Sequence, residues 1–171
     1  NLELIASIIY GSSLILMMSM SSLYHSFKKE SKFKKVFRRF DYTGVYLLIG
    51  GTFAPLFLVY SNTPLNMILF YVQWSLILVG ILCVLIFGPY RIRILNYILF
   101  FSIGYSAVMF IPQMFKDNLN LFYMILAGGL IYTTGMIPFG FRKLKGTHFV
   151  WHFFVLVAAT IHFFGIYFFV Y

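Results

Sequence analysis

The uncharged stretches Leu4–Phe27, Tyr42–Tyr60, Leu65–Gly88, Ile94–Ile111, Asn118–Phe141 and Gly146–Tyr171 constrain this chain more than any motif does. Each is near or above the ~20 residues a helix needs to cross a bilayer core. Barrel strands would be shorter and would alternate polar with apolar, which none of these runs does. The reading is an all-α membrane protein with six transmembrane helices. Its connections are short, so residues 1–171 are expected to form a single transmembrane helical domain. Composition agrees, with 61% hydrophobic and only 10% charged residues, against roughly 25% charged in ordinary soluble domains. The lone cysteine, Cys83, excludes an internal disulfide and a CxxC metal site. The first apolar run lacks a basic flank and a small-residue cleavage site, so no signal peptide is expected.

Orientation follows from the cations. All but one of the thirteen Lys and Arg lie between spans one and two (Lys28 to Arg39), three and four (Arg91, Arg93), or five and six (Arg142, Lys143, Lys145), and the remaining one is Lys116. The positive-inside rule places the three basic loops in the cytoplasm and both chain ends outside. The net charge of +9 is then mostly topological, and no nucleic-acid partner is expected. In the first basic loop Phe33, Val36, Phe37 and Phe40 recur at i, i+3, i+4 and i+7, as in a short helix lying in the membrane interface. Two readings of that loop stay open, a topological anchor and a holder of anionic headgroups.

Polar residues inside apolar spans are costly and usually have a reason. His148 and His152 lie four apart on one helical face, about 6 Å along the axis, so both imidazoles can converge on one metal ion. Zinc normally takes three or four ligands; His25, at the far end of the first span, and Asp41, at the mouth of the second, are the candidates to complete the set. Ser21 shares a face with His25. All five fall at one depth by the charge and span reading alone. Duller readings stand beside each: interfacial polar residues for His25 and His148, an N-cap for Asp41, helix packing for Ser21. His162 is about 15 Å deeper than His152 and cannot share its ion; it reads as a packed bundle histidine. Pro55 with Gly50 and Gly51, and Gly128 with Gly129, mark bends or close helix contacts, and Pro138 with Gly140 the exit from span five.

Ser21-Ser-Leu-Tyr-His25, Arg39-Phe-Asp41-Tyr-Thr-Gly44 and His148-Phe-Val-Trp-His152, followed by Ile161-His162-Phe163, resemble in order and separation the motifs of the haemolysin III branch of the progestin and adipoQ receptor family. The resemblance spans nearly the whole chain. It implies a seven-helix bundle with zinc on three histidines, matching His25, His148 and His152, with Asp41 the acidic residue beside the metal and Ser21 the serine of the first motif. The family has seven spans and this chain six, so the first family helix is expected to lie before Asn1.

The function this implies is a zinc-dependent intramembrane hydrolase of a lipid amide or ester, ceramidase-like, with membrane lipid as partner and possible substrate class. Zn2+ is the expected cofactor, and the plasma membrane the expected location, with the metal on the cytoplasmic side. Three histidines leave zinc an open position for water, and Asp41 would accept the proton. The alternatives are a haemolysin-type membrane-perturbing protein and a receptor or sensor whose zinc is structural.

Overall fold

The computed structural model describes residues 1–28, 31–140 and 147–171, without the side chains of 138–140 and 148. Lys29, Arg142, Lys143 and Lys145 of the basic loops, and the side chains of Pro138 and His148, therefore lie outside the described residues. The elements are α1 (Leu2–Ser26), α2 (Lys32–Pro55) running into a π-helical turn (Leu56–Tyr60), α3 (Pro64–Phe87), α4 (Arg93–Gly104), a 3-10 segment (Tyr105–Phe110), α5 (Ile111–Asp117), α6 (Leu119–Gly140) and α7 (Thr147–Phe169). No strand occurs among the described residues. Six of the helical runs are long and apolar enough to span a membrane, α4, the 3-10 segment and α5 together forming the fourth, Arg93–Asp117.

Helix ends carry the expected chemistry. Ser31 caps α2 by accepting from the Lys34 N–H at 3.0 Å, and Thr63 caps α3 by accepting from the Asn66 N–H at 3.2 Å, with Pro64 in the first turn. Asn118 Oδ1 accepts from the Leu121 N–H at the start of α6. α3 stops at Gly88, whose φ of 79° is open to glycine at no steric cost and whose N–H bonds Val84 O. The interruptions trace to proline. Pro55 withholds a donor from Gly51 O, and the backbone recovers as a π turn with Ser61 N–H on Leu56 O. Pro112 likewise withholds one from Val108 O, inside the 3-10 segment.

One expectation is corrected here. The basic stretch before Asp41 is not a separate interfacial helix; from Lys32 it is continuous with the second span, which runs 29 residues to Tyr60. At the usual rise that is about 43 Å, against a hydrocarbon core of about 30 Å. The helix is thus long enough for its basic first turns, residues 32–40, to stand beyond the core, where their charges cost least. Asp41 cannot be the N-cap, because the helix starts nine residues earlier at Lys32, capped by Ser31.

The described residues fall into two compact units, Asn1–Ser106 and Ala107–Tyr171. In the first, α2 is packed between α1 and α3: Gly44 lies against the Met17 backbone, Gly51 against Ser13, and Gly50 against Ile77 and Trp74. In the second, α6 packs on α7 through Gly135 against Phe154 and Trp151, and through Gly128 against the His162 ring. Both pairs use glycines seven residues apart, the repeat that keeps one seam facing a neighbouring helix. Gly129 departs from the sequence expectation, having no neighbour within 4 Å of an added Cβ. Gly128→Ala should thus cost about 1–3 kcal/mol by overpacking, while Gly129→Ala should be neutral or slightly stabilising. Thermal midpoints in detergent measure the difference; equal midpoints would mean that the α6–α7 seam opens freely.

Candidate functional site

In the first unit the last turns of α1 and the third turn of α2 come together. Ser21 and Tyr24 are buried on α1, and Asp41 on α2 is 2% exposed. Asp41 is within electrostatic range of Tyr24, whose ring meets that of His25 edge-on at 5.0 Å. His25 itself is exposed. The pairing of these two helix ends has a charge logic. Basic residues in the first turns of α2 oppose its own dipole, yet Lys34 Nζ donates to Tyr24 O at 2.6 Å, one of the last free carbonyls of α1. It also lies over the Tyr24 ring, 4.3 Å from its centroid. Arg39 Nη1 does the same for α3, donating to Leu85 O at 2.6 Å. Cations that disfavour one helix start thereby complete two helix ends.

A second polar line runs deeper. The Tyr46 hydroxyl donates to Asn96 Oδ1 at 3.0 Å, and Asn96 Nδ2 donates to Pro89 O at 3.2 Å. α2 is thus tied to the turn before α4, with the Tyr46 ring against Gly80. Gln73 likewise ties α3 to the 3-10 segment after α4, donating to Ser106 Oγ at 2.9 Å.

The second unit holds the histidine pair. His152 is half-buried on α7, and His148 lies in the first turn of α7 with its side chain outside the described residues. His162 is 7% exposed, its Nε2 3.1 Å from Ile125 O; that contact requires the proton on Nε2, where it donates to the carbonyl. This agrees with a packing histidine, flush against Gly128 and 5.6 Å from the Tyr132 ring. Among the described residues, which omit the His148 side chain, no three His, Cys, Asp or Glu side chains group closely enough to hold a metal ion.

The donor set nevertheless suits zinc chemically. Neutral imidazoles are ordinary zinc ligands, and a carboxylate oxygen is another. Sequence reasoning overlooked Tyr24, Arg38, Tyr90 and Asn96. Asn96 and Gln73 were visible as polar residues inside apolar runs; the tyrosines and Arg38 had no such signal, since both types are common at any membrane interface.

Six spanning helices with a buried carboxylate at one helix-pair end define an integral membrane protein, not a soluble domain with an apolar core. The chain belongs to the haemolysin-III-related family, whose model matches residues 1–163. It is 32% identical to Hemolysin-3 of Bacillus cereus over 167 residues, covering 97% of this chain and 75% of that protein. It is 28% identical to the Hemolysin-3 homolog of Bacillus subtilis (strain 168) over 163 residues, 95% of this chain and 76% of the other. It is 26% identical to the monocyte to macrophage differentiation factor of Homo sapiens over 172 residues, 96% and 70% respectively. These matches place it in the haemolysin III branch of the progestin and adipoQ receptors. No solved structure matches.

Proposed function

We propose that the protein is a zinc-dependent intramembrane hydrolase of a lipid amide or ester, with His25, His148 and His152 as metal ligands and Asp41 as general base. The observation that carries this is Asp41 itself, a carboxylate 2% exposed in the third turn of a spanning helix. Capping is removed as its role, and a carboxylate at this depth is a residue type that a bound cation would use. Zinc with an open position would supply an activated water at neutral pH. Asp41 would take the proton of the attacking water and return it to the leaving amine or alcohol. Ser21, one helical turn from His25 on α1, would orient the groups around the metal. Membrane lipid is the substrate class, and its cleaved bond would lie near the cytoplasmic edge of the core, at the depth of Asp41.

A second reading takes its support from the relatives' names: a haemolysin-type protein that perturbs membranes, with zinc only joining helices. Release of fatty acid from ceramides and lysolipids, measured beside zinc content, separates the two. Turnover supports the hydrolase, whereas a zinc-loaded protein inert on every lipid supports the structural role.

The same reading sets the topology in the plasma membrane. Single cysteines introduced in the segments 28–40 and 142–145 should resist an impermeant thiol reagent added to intact cells and react after permeabilisation, since the basic loops are expected inside. Labelling of either segment from outside would reverse the orientation and move the proposed site to the other face.

A further inference from the structure

The basic start of α2 has features that neither topology nor the proposed hydrolysis uses. Its residues divide by helical spacing into three arcs: Phe33, Val36 and Phe40, exposed and apolar; Lys34 and Asp41, turned toward α1; and a basic arc of Arg38, Lys35, Arg39 and Lys32. A topological anchor needs only charge, and lysines would serve. The two arginines are more constrained than that. The Arg38 guanidinium lies over the Tyr90 ring, 4.6 Å from its centroid, and within hydrogen-bonding reach of the Tyr24 hydroxyl. Arg39, an exposed residue, is pinned through Nη1 to Leu85 O at 2.6 Å, with its Nη2 and Nε beside Gly88. Two neighbouring guanidinium planes are thus fixed against one turn, Gly88–Ile92, which also carries Arg91.

Their donors are not used up. Arg38 Nε is buried and has no hydrogen-bond partner among the described residues, an expensive state for a charged donor. Only one carboxylate is described at this end of the unit, Asp41, and it is buried on the adjoining arc. We propose that Arg38 and Arg39, held on the α3–α4 turn, form a binding site for the phosphate of an anionic membrane lipid. Planar guanidinium forks pair with phosphate oxygens in a way an ammonium cannot. Fixing both planes in advance removes much of the ordering cost of binding. Phosphate is the anion a bilayer presents at this depth, just beyond the hydrocarbon core. The exposed Phe33, Val36 and Phe40 on the neighbouring arc offer apolar surface to the acyl chains, which a soluble phosphate would not need.

The test is native mass spectrometry of the full-length protein equilibrated with equal amounts of phosphatidylglycerol and phosphatidylcholine of identical chains. Wild type should retain phosphatidylglycerol preferentially. Arg38→Lys, which keeps the charge and removes the fork, should lower that retention by about tenfold, and so should Arg39→Lys, whose exposed position makes it the safer variant for folding. Lys116→Gln, which the charge pattern assigns to the opposite side of the membrane, should leave it unchanged. Retention of phosphatidylglycerol by both arginine variants at the wild-type level would overturn the proposal and leave only unspecific charge. Equal retention of phosphatidylcholine by wild type, or displacement of the lipid by inorganic phosphate at the same concentration, would overturn it as well.

Discussion

Replacing Asp41 by Asn is expected to leave zinc bound while lipid turnover falls by roughly 10²- to 10⁴-fold, the usual contribution of a positioned general base. Asparagine keeps the shape and much of the hydrogen bonding of aspartate but cannot take a proton. Loss of a helix cap cannot mimic the effect, since α2 is capped at Ser31. The measurement pairs zinc content with fatty acid release from a panel of ceramides and lysolipids. Unchanged turnover would exclude Asp41 as the base, and loss of zinc together with turnover would make it a ligand.

The second large effect concerns the histidines. On the proposed assignment, His25→Ala, His148→Ala and His152→Ala should each lose most of about one zinc per chain, because each would remove one of three ligands and leave too few to hold the ion. His162→Ala should keep the zinc. It deletes the hydrogen bond to Ile125 O and the ring packed on Gly128, so it should instead lower the thermal midpoint, at a cost of roughly 2–5 kcal/mol by analogy with large-to-alanine changes in cores. Metal analysis finding His162→Ala as depleted as the other three would sink the ligand assignment and point to general loss of helix packing.

The spans were legible because the bilayer requirement is written in length and apolarity alone: a run such as Leu65–Gly88 has no other stable form in lipid. The polar residues His25, Asp41, His148 and His152 stood out for the same reason, as exceptions within or beside such runs. The helical pattern of Phe33, Val36, Phe37 and Phe40 was legible, but not that this helix is continuous with the span. Lys32, Lys34, Lys35, Arg38 and Arg39 read as a stretch apart from the span because cations oppose a helix start, and the sequence does not show that Lys34 reaches Tyr24 O and Arg39 reaches Leu85 O. Those contacts join residues distant in the chain at the carbonyl ends of α1 and α3, where the same charges are favourable. Tyr24 and Arg38 came into view beside Asp41 only through that packing, and Gly128 parted from Gly129 only because His162 lies against one of them. By itself, then, the sequence determined the membrane class, the number of spans and the residue types available for a site. Only the tertiary structure decided where α2 begins, that Asp41 is not its cap, and which cations are held in place, because each depends on a neighbouring helix supplying the partner.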